Sequence, residues 1–407
     1  MKKVSLLGYG TTTEAIAEFL NQNGVDCDIF DDYCKEVKQE NKKTFYPSRF
    51  FETKDSVIEI TSPGIPPSHP MIRKAKNLYS EYDFFFDYFK DKSIWISGTN
   101  GKTTTTQMLE FLLQKVGGKS GGNIGYPLAK LAQENPKIWI LETSSFTLHY
   151  TKKAYPKYYI LLPVKEDHIH WHGDFQGYIK DKLSPLLQMQ KDGIAFVPAN
   201  FQTFEECKQS LATIIYYEDE NDLAKNFNFS LKKSIFKPPF LLDAVLAFCM
   251  ARFFDKNISL ESLNAFLLGA HRLQEFLDSF GRLWVDDSKG TNVDATCEAI
   301  KRYQDRKIHL ILGGDDKGAN HKELFTLMQN KDIILYLIGS NAKKLENIAQ
   351  DFGVESKMCG VMEKAVLMIK SCLQKNEVAL LSPAAASLDQ FKSYKERGEL
   401  FQKLALE

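Results

Sequence analysis

The chain has 407 residues, too many for one ordinary hydrophobic core, so two or three domains are expected. Its 52 basic and 52 acidic side chains cancel, which argues against nucleic acid as the main partner. No stretch reaches the ~18 apolar residues of a membrane span, and the seven cysteines are scattered without C-x-x-C spacing. The expectation is a soluble, cytoplasmic protein with reduced thiols and no membrane partner.

In chain order, MKKVSLLGYG sets two lysines before an apolar run, but VSLL breaks at Gly8. That is well short of the ~7–15 apolar residues of a secretory leader, so it reads as a first strand. GYGTTT and the helical pattern EAIAEFLNQNG follow, then the strand CDIF ending at Asp31. Gly8, Gly10 and Asp31 resemble a dinucleotide fingerprint, with Thr13 in the place of the third glycine. A nicotinamide or flavin cofactor, and with it a nucleotide-sugar oxidoreductase, rests on this turn alone. The same turn can hold a nucleotide diphosphate through backbone donors. VIEI is a further strand, TSPGIPPSHP a turn-rich link, and EYDFFFDYF an aromatic cluster that packs between domains or at a core edge.

A second segment opens on the strand SIWIS and the loop SGTNGKTTTT. The P-loop pattern is G-x-x-x-x-G-K-[ST], but here only Thr99 and Asn100 separate Gly98 from Gly101. The loop follows a strand and opens a helix, so backbone N–H groups and the helix dipole converge on an anion. Lys102 would neutralise outer phosphates, and Thr103 offers a hydroxyl to Mg²⁺. Glu142, at the carboxyl end of the strand KIWILE, is placed as a Mg²⁺ ligand or a surface ion-pair partner. KEDHIHWHGD carries His168, His170 and His172 in alternation, as in a loop leaving a strand. Zinc is the sharp reading of three imidazoles, but no cysteine or H-E-x-x-H helix accompanies them, so one functional and two ordinary histidines are expected. KYYILL, GIAFVP and TIIYY are strands, and FLLDAVLAFCMARFF is a buried helix.

The third segment repeats strand and helix through RLWVDD, KIHLILGG, DIILYLIG and EVALLSP. The turns DDSKGTN, LGGDDKGAN and LSPAAASLDQF each put ligand-capable groups at a strand's carboxyl end. Asp287 and Lys289 suit ribose and phosphate, and Lys317 suits a carboxylate. The reading is α/β throughout: three domains, each a three-layer α/β sandwich, with boundaries at 1–90, 91–269 and 270–407. The first and third are Rossmann-like, and the central one is a P-loop-like ATPase domain.

Taken together, GTNGKT, GGNIG, ETSSF, EDH, a lysine-bearing helix, HR, DDSKGTN, GGDDKG and SPAAASLDQFKSYKERG resemble the Mur ligase family, in which the shortened loop is normal. The last stretch resembles the branch that adds D-glutamate. The resemblance implies ATP and two Mg²⁺ sites, with UDP-N-acetylmuramoyl-L-alanine and D-glutamate as substrates of an acyl-phosphate route. It implies Gly98, Thr99, Asn100, Gly101, Lys102, Thr103 and Thr104 as the ATP loop. Thr103, Glu142, His168 and a carbamylated Lys182 become metal ligands, and Arg272 a phosphate contact, with Asp287 on ribose and Lys289 nearby. Thr11, Thr12, Gly64 and Asn123 match the UDP-sugar side; Thr291, Lys317, Ser387 and Tyr394 match the D-glutamate pocket. Large domain motions bringing the third segment onto ATP are implied too.

Two departures stand out. Asp243 takes the place of an asparagine at the adenine, where a carboxylate accepts but cannot donate, and Asp32 and Tyr33 replace a familiar threonine and arginine near the uracil. Another ATP-dependent amino-acid ligase of the superfamily is the nearest alternative, and a non-catalytic nucleotide-gated binding protein a further one. The even charge, with no oligomerisation stripe, makes a monomer the default.

Overall fold

A computed structural model describes residues 3–407, the side chain of Asp55 excepted; Met1 and Lys2, which open the run weighed above as a leader, lie outside the described residues. The chain forms two compact units, Met1–Phe266 and Leu267–Glu407.

The first unit holds two six-stranded sheets. The first comprises β1 (Lys3–Leu7), β2 (Cys27–Asp31), β3 (Lys38–Glu40), β4 (Lys43–Pro47), β5 (Ser56–Thr61) and β6 (Leu78–Tyr79), in the order β3-β4-β2-β1-β5-β6. Only β3 runs antiparallel to its neighbour. The second comprises β7 (Ser93–Ser97), β8 (Gly118–Gly122), β9 (Ile138–Glu142), β10 (Tyr158–Leu161), β11 (Ile194–Pro198) and β12 (Thr213–Tyr217), in the order β12-β11-β10-β7-β9-β8, all parallel. Parallel strands covered on both faces read as apolar runs, which is why SIWIS and IWILE are buried from end to end. The order reverses at β7/β10, where Leu162 N donates to Ser97 O at 2.8 Å. Ligands of open parallel sheets sit at such a switch point.

The aromatic cluster forms the helix Glu81–Phe89, capped by Ser80. It packs in the core shared by the two sheets: Phe85 against Phe19 (5.1 Å), Tyr82 against Trp95 (4.7 Å) and Phe89 against Trp139 (5.5 Å). At its first turn Glu81 is buried and accepts the Leu128 N–H at 2.8 Å. Burial lifts its carboxyl from 4.5 to about 8, against the opposing pull of that N–H. Between these values the native chain binds a proton that the unfolded chain has released. Stability therefore falls by roughly 1.4 kcal/mol per pH unit from about pH 4.5 to 8 through this one group, and levels off above. Glu81→Gln is expected to be more stable than the parent at pH 8, with the gap closing towards pH 5. Urea unfolding at both pH values checks this; a gap independent of pH contradicts it.

The second unit carries β13 (Gln274–Leu277), β14 (Leu283–Asp286), β15 (Ile308–Leu312), β16 (Ile333–Ile338), β17 (Glu355–Gly360) and β18 (Val378–Leu381), in the order β13-β14-β18-β15-β16-β17. β13 alone is antiparallel. Its core joins Trp284, Tyr336, Ile311 and Leu381 to Phe401 of the helix Tyr394–Leu406.

Candidate functional site

At the end of β7 the loop 98–101 turns into the helix Lys102–Leu113. Its glycines are demanded by space as well as by dihedral. Gly98 has φ +137°, and a Cβ there would lie 2.5 Å from Leu162 Cβ. Gly101 has φ +81°, and a Cβ would lie 2.2 Å from Asp243 Oδ1. Thr99 fixes the loop to the chain leaving β10: its N–H donates to Pro163 O (3.1 Å), its hydroxyl accepts from Lys165 N (3.0 Å) and lies 3.1 Å from the Tyr178 hydroxyl. At the helix start Thr103 is half-buried and Thr104 buried, where backbone N–H groups and the helix dipole suit an anion. Gly101→Ala is expected to weaken ATP binding by about 5–30-fold, since the left-handed backbone alone costs about 1–2 kcal/mol in a residue with a Cβ. Titration with a fluorescent ATP analogue checks this, unchanged affinity being the contrary result.

Two lysines meet above this loop. Lys102 Nζ donates to Gly98 O (2.9 Å) and Thr99 O (2.7 Å). Lys182 Nζ, from the helix Phe175–Leu183, donates to the same Gly98 O at 2.7 Å and sits 4.5 Å from the Tyr178 ring centroid. Lys182 is only 1% exposed, and burial, then repulsion from Lys102, push its amine well below the ordinary lysine range. That favours the neutral amine, the form that adds CO₂.

One strand away, Glu142 closes β9 and is 3% exposed. Its Oε1 accepts from Asn123 Nδ2 at 2.9 Å, while Oε2 is buried with no hydrogen-bond partner. A buried, unsatisfied carboxylate oxygen costs free energy unless a cation or donor meets it, so this one fits a hard cation. His168 is exposed at φ +55°, its Nε2 3.6 Å from Asp167 Oδ2 and its ring 4.7 Å from the Phe146 ring. The histidine run is not the extended loop that alternation suggested: Ile169–His172 is a short helix, with His172 N donating to His168 O at 3.2 Å. His168 and His172 thus both lie against Phe146, because residues four apart share a helix face.

The other residues expected on the substrate side fall in the same unit. A cleft between its two sheets is lined by Thr12, Pro63, Glu81, Asn123, Thr147 and Tyr150. Thr11 is exposed beside it in sequence at the helix start Thr11–Gln22, and Gly64 lies exposed in the turn after β5. Thr13 fills the third-glycine position by folding the turn on itself: its hydroxyl donates to Gly8 O (2.8 Å) and accepts from Gly10 N (3.0 Å). Asp31 is spent on the Tyr9 and Tyr33 N–H groups, both at 2.8 Å, and Asp32 pairs with His69 at 3.1 Å. Asp243 is buried in the first turn of the helix Phe240–Ala251, against the phosphate loop.

In the second unit the three carboxyl-end turns are cross-linked. Asp315 and Ala386 exchange both N–H···O bonds (3.0 and 2.9 Å), tying the Lys317 loop to the Ser387 loop, and Ala384 N donates to Gly290 O at 3.1 Å. Buried Arg397 braces them through Ser288 Oγ (2.9 Å), Ser288 O (2.8 Å) and Ala385 O (3.1 Å). Lys289 lies over the Tyr394 ring at 4.1 Å, while Thr291 and Lys317 (φ +48°) are exposed. Arg272 lies in a turn whose neighbours His271 and Leu273 both take positive φ, +63° and +46°. His271 is anchored to Asp286 at 2.6 Å. Asp287 is buried, accepting from Ser382 Oγ at 2.7 Å and Leu273 N at 3.3 Å, and burial lifts its carboxyl to about 7.

Tyr178, Ser97, Asp181, His149 and Glu81 were not reached from the sequence as site residues. Tyr178 alone left a signal there, four residues ahead of Lys182 and so on the same helix face.

Residues 96–240 match the Mur ligase middle domain, and residues 271–385 match the Mur ligase glutamate ligase domain. The chain is 49% identical over 403 residues to the UDP-N-acetylmuramoylalanine--D-glutamate ligase of Campylobacter jejuni strain RM1221, covering 98% of each. It is 46% identical over 419 residues to the protein of that name from Helicobacter pylori strain 26695, covering 99% of each. Among solved structures it resembles the MurF ligase of Thermotoga maritima in complex with ADP (14% identity, TM-score 0.60, 93% of this chain and 94% of that one). It also resembles the UDP-N-acetylmuramate-alanine ligase MurC of the same organism (16% identity, TM-score 0.56, 98% of each). The fold is shared with these ligases, none of the named relatives is an oxidoreductase, and the chain belongs to the Mur ligase family of ATP-dependent, amide-forming enzymes.

Proposed function

We propose that this enzyme adds D-glutamate to UDP-N-acetylmuramoyl-L-alanine at the expense of ATP, as a monomer in the cytoplasm, where ATP and the precursors of peptidoglycan are made. What carries the reading is the meeting of Lys102, Lys182 and the shortened loop, one strand from the orphaned Glu142 Oε2, in a chain 46–49% identical to D-glutamate ligases.

A carboxylate oxygen is a poor leaving group until it is phosphorylated. ATP gives its outer phosphoryl group to the substrate carboxylate, making an acyl phosphate and releasing ADP. The amine of D-glutamate adds to that carbonyl, and the tetrahedral adduct collapses to amide and phosphate. Positioning and charge neutralisation do most of this work. Gly98 to Thr104 hold the phosphates through backbone N–H groups, and Lys102 balances the charge of the transferred group. Thr103 and Glu142 would hold one Mg²⁺, and His168 with Lys182 as its carbamate a second; bound there, Mg²⁺ supplies neutralisation of the phosphate oxygens. Asn123, by occupying Glu142 Oε1, leaves Oε2 directed to the cation.

Thr11, Thr12, Gly64 and Asn123 take the UDP-sugar side, with Asp32 and Tyr33 near the uracil. Asp243 faces adenine, Arg272 a phosphate, and Asp287 with Lys289 the ribose side. Thr291, Lys317, Ser387 and the Tyr394 N–H receive the two carboxylates of D-glutamate. The domains correspond to 1–90 for the UDP substrate, 91–269 for ATP and 270–407 for the amino acid.

An isotope experiment tests the route. UDP substrate with ¹⁸O in its alanyl carboxylate is turned over, and the released phosphate is weighed by mass spectrometry. One ¹⁸O per phosphate is expected; unlabelled phosphate would rule out the acyl phosphate.

A further inference from the structure

A separate set of ligating side chains converges beside the nucleotide site. His149 comes from the helix Ser145–Tyr150, His172 from Ile169–His172 and Asp181 from Phe175–Leu183. His172 Nδ1 lies 2.8 Å and His149 Nδ1 3.0 Å from the same oxygen, Asp181 Oδ2, and the three atoms lie within 4.8 Å of one another. His149 Nδ1 also lies 3.2 Å from Asp181 Oδ1, so it spans both carboxylate oxygens while sharing Oδ2 with His172. A tetrahedral ion with bonds of about 2.0–2.1 Å has ligand–ligand edges of roughly 3.3 Å, so the two nitrogen–oxygen edges need open by only a few tenths of an ångström.

The surroundings are those of a metal-binding imidazole. His172 has a fully buried side chain, its ring lies parallel to Phe146 (14°), and its far nitrogen Nε2 is 3.0 Å from Ser145 Oγ. An imidazole that ligates through one nitrogen donates from the other to such an outer partner. To ligate through Nδ1, each imidazole must carry its proton on Nε2, and at His172 that Nε2–H has Ser145 Oγ to donate to. His149, with its side chain 34% exposed, is the solvent-facing edge by which an ion and its remaining waters would enter.

We propose that His149, His172 and Asp181 form a binding site for a borderline divalent ion of the Zn²⁺ class. Two nitrogens and one carboxylate suit such an ion, whereas the oxygen ligands at Thr103 and Glu142 suit hard Mg²⁺. An ion here ties three helices together, one of which carries Lys182 directly after Asp181, so occupancy fixes the placement of that lysine.

The test uses the full chain, stripped with a chelator and held in millimolar Mg²⁺, then titrated with Zn²⁺ against a chromophoric competitor. One Zn²⁺ per chain is expected, with Mg²⁺ failing to displace it. His149→Gln and Asp181→Asn are expected to weaken it by more than about 10-fold, the smallest loss usual for removal of even an outer-shell partner. His170→Ala, outside the cluster, is expected to bind as the parent does. His149 is exposed enough that its variant should fold, which thermal melting checks. Co²⁺ in place of Zn²⁺ should give the visible bands of a nitrogen- and oxygen-ligated ion. Zn²⁺ held equally by parent and His149→Gln, a cobalt–thiolate charge-transfer band, or no Zn²⁺ bound in the presence of Mg²⁺ would each overturn the site.

Discussion

Lys182→Ala is expected to lower kcat by about 10²–10³-fold, the loss usual when one charged group is removed from a reacting centre, and formate or acetate is expected to restore part of it. The buried amine donates to Gly98 O, and burial with the nearby Lys102 holds it towards the neutral form. A neutral amine adds CO₂, and a carbamate formed here would offer two oxygens to a cation and a negative charge to offset Lys102. Alanine removes both the bridge and the charge, while a small carboxylate diffusing into the space left by the side chain replaces the oxygens. Lys182→Arg should not recover, because guanidinium does not form a carbamate and stays charged. Steady-state rates with and without formate, on protein of unchanged melting temperature, decide the matter. Parental turnover by Lys182→Ala would remove the residue from the mechanism.

Lys102→Ala should have an effect of similar size, about 10²–10³-fold in kcat, but without rescue by carboxylates. Its ammonium is held over the loop by Gly98 O and Thr99 O, 2.9 and 2.7 Å away, the placement that the proposed contact with the outer phosphate calls for. Lys102→Arg should recover little, since a planar fork cannot take the compact place of an ammonium between two carbonyls. Single-turnover rates separate this loss from weaker ATP binding. A rise in KM alone, with kcat intact, would mean that Lys102 only binds ATP.

The strands that bury both faces were legible, because continuous apolar runs such as SIWIS, IWILE and IILYLI have few other uses. The strands not reached are of another kind. β8 is GKSGG, with no apolar pattern, and is a strand because Gly121 lets Leu131 pack to 2.3 Å of a would-be Cβ and Gly122 fits beneath Tyr82. β3, β6, β13 and β17 are short or polar edge strands, paired on one side only, and β4 (KTFYP), though paired on both sides, is half-buried along most of its length. The site divides in the same way. Gly98–Thr104 announce themselves because backbone geometry and phosphate chemistry are written contiguously. Glu142 was legible as a strand-end acid, though not the detail that Asn123 leaves one of its oxygens bare. The His149–Asp181–His172 cluster joins three helices across 32 and 9 residues of sequence, and no spacing rule covers such a contact. The histidine alternation misled because it takes period two for a strand or loop, whereas a single helical turn brought His168 and His172 together instead.

The most direct measurement is phosphate release from ATP with Mg²⁺ and UDP-N-acetylmuramoyl-L-alanine, adding D-glutamate, L-glutamate or other amino acids one at a time. Release that requires both the UDP substrate and D-glutamate, with the amide product seen by mass, is the expected result. Release driven by a different amino acid, or none with any acceptor from folded protein, would contradict it.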